Sequence, residues 1–356
     1  MIKIFYAVFL ASLFINISFW ICLYSKLLCH KSKTGANNES ITILVVFKNA
    51  AQYIRSCMSS LLSQNEVQKI VFVNDYSDDG SAKYVDRNQS QNLILYHTTI
   101  DNPGKKSALQ EGILQVQSEL ILLTDVDCKP ASSSWSDVMR SQFNEQIDIV
   151  LGYSPVAAAP TFLNRFIRFE TWMTALQYMS YAAAKIPYMG VGRNLAYRRS
   201  ITQNFKPDFS TLSGDDDLFV SAMATSKNTA ICLDPDAFVY TYAKESWSDF
   251  YRQKRRHMTT SHQYKFVHKL LLTLFSLSQM FVVVFGLILL ATNEKPFRII
   301  PVFTFYILIK WFMAYPLLKK FKEENLLFLF PILDICFSFY YWIMAFSIFT
   351  HSKTWN

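Results

Sequence analysis

Asp125-Val126-Asp127 follows the apolar run Leu120 to Thr124, so two carboxylates share one backbone turn at the end of a strand-like segment. Together they can hold a hard divalent ion that bridges phosphate oxygens. A second acidic loop, Asn74-Asp75-Tyr76-Ser77-Asp78-Asp79-Gly80, closes the run Lys69 to Asn74, and Gly214-Asp215-Asp216-Asp217-Leu218 sets three carboxylates side by side. Adjacent carboxylates repel, which raises at least one pKa toward a value useful for proton transfer. Taken singly, the two strand-end groups also read as turns or caps rich in Asp, Ser and Gly.

Such groups need a frame. Ile41 to Phe47 reads as a buried strand, Ala50 to Ser63 as a helix, Lys69 to Asn74 and Leu93 to His97 as strands, Lys105 to Gln115 as a helix and Leu120 to Thr124 as a fourth strand. Strands alternating with helices at this spacing predict an α/β fold with a doubly wound, mostly parallel sheet. Ligands of such sheets bind beyond the carboxyl ends of the strands, where Asp75, Asp125 and Asp127 fall. A carboxylate at Asp75 suits the imide N–H of a uracil ring, because the side chain only accepts.

The composition, 51% hydrophobic, 16% aromatic and 17% charged with mean hydropathy +0.14, excludes disordered, collagen-like and coiled-coil chains. Ile4 to Tyr24 and Leu270 to Ala291 carry no charge and are each long enough to cross roughly 30 Å of hydrocarbon. Ile299 to Leu318 and Leu326 to Thr350 are apolar apart from Lys310 and Asp334, so four membrane helices are expected. The first run is longer than a signal peptide's apolar region and no small-x-small cleavage site follows, which favours an anchor. Counted from the proposed cytoplasmic ends, Lys310 and Asp334 both lie roughly 12 Å deep, and the two are predicted to pair. Phe162 to Lys185 has helical periodicity that suits either a core helix or one lying on the membrane.

Lys26, Lys31 and Lys33, then Arg252 to Arg256, Lys265 and Lys269, then Lys319, Lys320 and Lys322 all fall on one side if four helices alternate. That side is expected to be the cytoplasm. The net charge of +8 and pI near 9.0 are therefore assigned to lipid headgroups and not to nucleic acid. The six cysteines form no CxxC pair and are expected as free thiols in a reducing compartment.

Ile41 to Asn49, the Asn74 to Gly80 loop, Gly104-Lys105-Lys106-Ser107-Ala108-Leu109, Thr124-Asp125-Val126-Asp127, Gly192-Arg193-Asn194-Leu195-Ala196-Tyr197-Arg198-Arg199, Gly214-Asp215-Asp216-Asp217-Leu218 and Gln253-Lys254-Arg255-Arg256-His257 occur in that order. The ordered set resembles membrane-bound family-2 glycosyltransferases with the GT-A fold, related to processive polysaccharide synthases. The resemblance implies that Phe47, Lys48 and Asn49 line a nucleotide pocket, that Asp75 reads the base and that Lys105 lies near the donor. Asp125 and Asp127 would hold the sugar nucleotide and its Mg²⁺ or Mn²⁺.

Gly192-Arg193-Asn194 resembles the family's Gly-Gly-Asn element on the acceptor side, with Arg193 where a small residue is usual. A cation there suits phosphate on a lipid acceptor as well as it suits a surface turn. Gly214 to Leu218 resembles the motif carrying the general base, placed at Asp216 with Asp215 second and the register among Asp215, Asp216 and Asp217 open. Gln253 to His257 resembles a Gln-x-x-Arg-Trp motif in which Arg256 meets the leaving diphosphate. His257 replaces the tryptophan and removes a stacking surface for an acceptor sugar.

The implied activity is inverting, metal-dependent transfer of a sugar from a nucleotide-diphosphate sugar, a UDP-sugar judged from Asp75, to a lipid-linked or glycan acceptor at the membrane surface. The alternatives are a processive polysaccharide synthase and a non-catalytic membrane scaffold that keeps the fold. The expected layout is a transmembrane helix in 1–25, a linker in 26–40, a cytoplasmic GT-A domain in 41–266 and three transmembrane helices in 267–356. A bacterial inner membrane suits that layout.

Overall fold

The computed structural model describes residues 2–347 other than 33–34, 36, 100–103, 210–213, 259 and 293–295. Lys33 of the basic flank and Thr350 at the end of the fourth apolar run lie outside the described residues. The chain forms two compact units, one from Lys31–Ala159 and Tyr181–Lys244, the other from Met1–His30, Pro160–Ser180 and Glu245–Asn356.

The described residues of the first unit form nine strands: β1 (Ile41–Phe47), β2 (Lys69–Asn74), β3 (Leu93–His97), β4 (Leu120–Leu123), β5 (Lys129–Pro130), β6 (Ile149–Gly152), β7 (Leu195–Arg198), β8 (Thr229–Cys232) and β9 (Val239–Tyr240). Seven of them make one sheet in the order β3-β2-β1-β4-β7-β6-β8, and β5 pairs with β9 separately. Pairing is parallel throughout the large sheet except where β7 runs antiparallel to both β4 and β6. β1, β2 and β4 are almost wholly buried. Their sequences are therefore continuous runs of Ile, Val, Leu and Phe and not alternating ones.

Two of the expected bounds shift. The helix expected from Ala50 starts at Ile54, because Ala51 to Tyr53 form a turn, and the fourth strand ends at Leu123. The order of connections reverses between β1 and β4, the place beyond whose carboxyl ends sheets of this kind bind their ligands. The helix Lys105–Gln115 lies close over the sheet behind it. A Cβ on its Gly112 would come within 2.6 Å of Val73 and 2.9 Å of Leu44, so only glycine admits this approach. That packing fixes where the helix begins, and so where Lys105 stands.

Among the described residues of the second unit four helices, Ile2–Cys29, Phe266–Thr292, Ile299–Lys320 and Glu324–Ala345, are long and apolar enough to cross a membrane. Several of their buried polar groups pair with one another. Lys310 Nζ donates to both oxygens of Asp334 at 2.8 and 2.6 Å and to the Tyr306 hydroxyl at 3.3 Å. Tyr306 donates to Asn16 Oδ1 at 2.9 Å, Asn16 Nδ2 to Ser278 Oγ at 3.2 Å, and Gln279 Nε2 to Asp334 Oδ1 at 3.0 Å. One network thus includes all four helices, as hydrocarbon requires of polar side chains that water cannot reach.

Breaking a buried ion pair from one side leaves an uncompensated charge. Lys310→Met and Asp334→Leu are each expected to destabilise the folded protein by about 3–5 kcal/mol, and the double variant by clearly less than their sum. Denaturant titration of all four forms in one lipid environment checks this; strict additivity would mean that the two charges are not coupled.

Candidate active site

The loop after β4 gathers the first part of the site. Ligand atoms of Asp125, Asp127 and Cys128 all lie within 4.8 Å of one another. Burial, and then the charge of Asp125, pushes the Asp127 carboxyl above its usual range. The Cys128 thiol donates to Asp127 Oδ1 at 3.4 Å. Its pKa is pushed well up by burial and by both aspartates, so it remains a thiol. The two carboxylates supply oxygen donors that fit Mg²⁺ or Mn²⁺.

Lys105 joins this edge to the acidic motif. Gly104, just before the helix, donates its N–H to Asp75 Oδ1 at 3.1 Å, which ties the end of β2 to the start of Lys105–Gln115. Lys105 Nζ then lies 2.8 Å from Asp125 Oδ1 and 3.3 Å from Asp215 Oδ2. Burial alone would lower its pKa, but Asp125, Asp215 and Asp216 outweigh that and hold it well above the usual value. Its side chain keeps 37% of its surface exposed. Lys106, next along, is buried and donates to the Asp208 carbonyl at 2.7 Å, although a lysine at a helix start is ordinarily solvated.

Asp216 caps the helix Asp217–Met223. Its Oδ1 accepts from the Asp217 N–H at 2.8 Å and its Oδ2 from the Gly192 N–H at 2.5 Å. Burial, followed by the charges of Asp215 and Asp217, pushes this carboxyl up to about 7, against the opposing pull of Lys105 and the Gly192 N–H. A Cβ on Gly192 would press on Asp216 Oδ2 at 3.2 Å. Gly214, at φ +103°, takes the left-handed turn that brings the three aspartates in.

Several expected residues do other work. Phe47 does not present its ring to a pocket: it is 2% exposed and packs edge-on against Phe72 at 6.1 Å in the core. Asn49, in the left-handed region at φ +49°, accepts from the Asp78 N–H at 3.0 Å and donates its own N–H to Ser77 Oγ at 3.0 Å, so it shapes the acidic loop. Asn194 is fully buried and wholly engaged. It accepts from Trp135 Nε1 at 3.0 Å and donates to the carbonyls of Tyr153 and Ala237, both at 2.8 Å. It is an internal brace and is closed to an acceptor.

Arg193 lies near enough to Asp127 that its charge draws that carboxyl downward. Asp75 is buried apart from a small fraction of its surface. Gln253, Arg256 and His257 lie on the helix Trp247–Met258 in the other unit, Gln253 half-buried and the other two exposed. Sequence reasoning missed Cys128 and Trp135. Cys128 follows Asp127 directly, but nothing in the spacing links Trp135 to Asn194.

Residues 42–205 match the family model "Glycosyl transferase family 2" and residues 137–349 match "Glycosyl transferase family group 2". A poly-beta-1,6-N-acetyl-D-glucosamine synthase of Staphylococcus aureus (strain COL) is 29% identical over 90 residues, 25% of this chain and 22% of the relative. Its counterpart in Staphylococcus epidermidis is 30% identical over 105 residues, 29% of this chain and 25% of the relative. The match thus spans about a quarter of the length of these curated relatives. Among solved structures, mannosyltransferase PcManGT from Pyrobaculum calidifontis in complex with GDP-Man and Mn²⁺ shares the fold, with TM-score 0.62 at 13% identity over 95% of this chain and 98% of that one.

The carboxyl of Asp216 is expected to titrate near pH 7, and removing the neighbouring negative charge in Asp215→Asn is expected to move that midpoint down. Difference infrared spectroscopy of the carboxyl band across pH 4 to 9, with Asp216→Asn as the blank, reads both. A midpoint that stays at an ordinary carboxylate value of about 4 contradicts the assignment.

Proposed function

Because the chain belongs to glycosyl transferase family group 2, we propose that it moves a sugar from a nucleotide-diphosphate sugar to a lipid-linked or glycan acceptor at a membrane surface, with inversion at the anomeric carbon. The observation that carries this reading is the meeting of two separate acidic edges on one cation, Asp125 and Asp215 both pairing with Lys105. Asp125 and Asp127 would hold a divalent ion, which when bound neutralises charge on the diphosphate.

The remaining roles belong to side chains of the chain itself. Lys105 meets a donor phosphate and releases part of its hold on Asp125. Asp216, in its deprotonated form, takes the proton of an acceptor hydroxyl as that oxygen bonds to the anomeric carbon. The bond from that carbon to the phosphate oxygen breaks, and the nucleoside diphosphate leaves with the electron pair. Arg256 and Gln253 are assigned to the leaving diphosphate, where a planar guanidinium fork meets two phosphate oxygens. Arg193 supplies a further cation for phosphate. The four apolar helices and the basic flanks support a catalytic unit on the cytoplasmic side of a bacterial inner membrane.

The donor is proposed as a UDP-sugar on the strength of Asp75, and the names of the staphylococcal relatives make N-acetylglucosamine the first sugar to try. GDP-mannose is the comparison donor, since PcManGT was solved with it. Likeness to polymer synthases also supports a second reading, repeated addition to a growing glycan.

Purified full-length protein supplied with UDP-GlcNAc or GDP-mannose and with Mn²⁺ or Mg²⁺ is expected to release the nucleoside diphosphate and to stop when the metal is chelated. Asp127→Ala and Asp216→Asn are expected to lower kcat by roughly 10²–10⁴-fold. Because Asp216 must be deprotonated to act, kcat/KM is expected to fall as pH drops below about 7. Product length separates single from repeated addition. Folded protein that turns over no nucleotide sugar, or full activity in Asp216→Asn, would sink the proposal.

A further inference from the structure

The helix Trp247–Met258 carries Gln253, Arg256 and His257, yet it is short and strongly polar, and Phe250 is its buried residue. A single buried ring fixes how deep such a helix sits but not how it is turned about its own axis. A second anchor is therefore needed if the arginine is to have a defined direction. It lies one turn on, at Lys254.

Lys254 does not behave as a membrane-facing lysine. Its Nζ is 2.5 Å from Glu170 Oε2, and its side chain keeps 21% of its surface while that of Glu170 keeps 6%. Glu170 belongs to the long helix Phe162–Ala183, and its other oxygen accepts from the Tyr340 hydroxyl at 3.3 Å. Tyr340 lies on the last apolar helix. Around this junction Phe250 stacks on Tyr340 at 5.8 Å and meets Phe166 edge-on at 6.1 Å, while Trp247 contacts Phe166 at 5.4 Å. Lys254 Nζ also lies 5.6 Å from the centre of the Phe250 ring. A buried carboxylate with these two partners tolerates little displacement, since moving either one leaves its charge without compensation.

The direction of Arg256 follows from helix geometry. At about 100° per residue, Arg256 stands roughly 200° round the helix from Lys254, on nearly the opposite side. Anchoring Lys254 to Glu170 therefore turns Arg256 outward, and it is exposed. Without that anchor the ring contacts of Trp247 and Phe250, both in the first turn of the helix, would hold its rotation less tightly.

We infer that Glu170 is a positioning residue: by bridging Lys254 and the Tyr340 hydroxyl with its two oxygens it fixes the rotation of the helix Trp247–Met258 and so the direction in which Arg256 meets a leaving diphosphate. The inference rests on the proposed role of Arg256 in that reaction. It assigns Glu170 no contact with substrate. The fixed rotation serves the step in which charge develops on the leaving group, not the binding of the intact donor.

The experiment measures kcat and KM, per molecule of folded full-length protein, with UDP-GlcNAc and GDP-mannose. Glu170→Gln and Lys254→Met, which keep the volume and lose the pair, are expected to lower kcat about 10- to 100-fold while KM for the donor stays within about twofold. Lys254→Arg, which keeps a cation facing Glu170, is expected to retain at least about half the rate. A loss that only reflected poor folding would lower the folded fraction and leave kcat per folded molecule unchanged, which would overturn the inference. So would wild-type kcat in Glu170→Gln beside an inactive Arg256→Ala. Full activity in Arg256→Ala would overturn the role proposed for that arginine and the inference with it, and no turnover of either donor by the unsubstituted protein would remove the reading on which both stand.

Discussion

Carboxylates crowded at one end of a sheet cannot all stay ionised in water-poor surroundings unless a cation is shared among them. Like charges about 4 Å apart repel by roughly 4 kcal/mol at an effective dielectric constant of 20, a large part of the stability of an ordinary domain. Lys105 supplies the shared charge, with its ammonium between Asp125 and Asp215. Its position is not free, because the helix it starts is pressed onto Leu44 and Val73 through Gly112 and tied to Asp75 through Gly104. The electrostatics of the site thus rest on helix-to-sheet packing behind it. A change at Gly112, distant in kind from any chemistry, would displace the cation that Asp125 and Asp215 share.

The apolar unit solves the same problem under a harsher condition. Hydrocarbon offers no water to screen a charge, so Lys310 and Asp334 have to meet, and their remaining capacity is taken by Tyr306 and Gln279. Arg168 and Glu323, both nearly buried, follow the same rule at 2.5 Å, with Asn325 accepting from the same guanidinium at 2.7 Å. Buried charge in this protein is therefore always found in company among the pairs described here. Each pair joins segments far apart in sequence, so it specifies which helix faces which.

What could be read in the sequence follows from how many solutions each feature allowed. Runs such as Ile41 to Phe47 and Lys69 to Asn74 permit one reading, because a strand covered on both faces has no polar alternation to confuse it. The pairing of Lys310 with Asp334 was legible for a similar reason: at equal depth in hydrocarbon, two opposite charges have few other partners. Short β7 was not legible, since Leu195 to Arg198 is too brief to show a period and its antiparallel insertion depends on strands on either side. Asn194 misled because a polar residue beside a glycine turn looks like a ligand contact, whereas three internal partners consume it. Phe47 misled because a residue at the carboxyl end of a strand can serve the site with its backbone while its ring goes to the core.

The acidic triplet shows how surroundings set apart residues that composition leaves alike. Asp215 and Asp216 are the same residue type, adjacent, on one turn. Asp215 spends its charge on Lys105, so its carboxylate is committed to the cation shared with Asp125. Asp216 turns the other way, into the backbone N–H groups of Gly192 and Asp217, and burial beside two like charges holds its pKa up to about 7. A carboxyl poised near neutrality can accept a proton and give it up again. The division between a group that organises the site and a group suited to proposed proton transfer therefore comes from which way each side chain leaves the same short loop, and Gly214 sets that geometry with its left-handed φ of +103°.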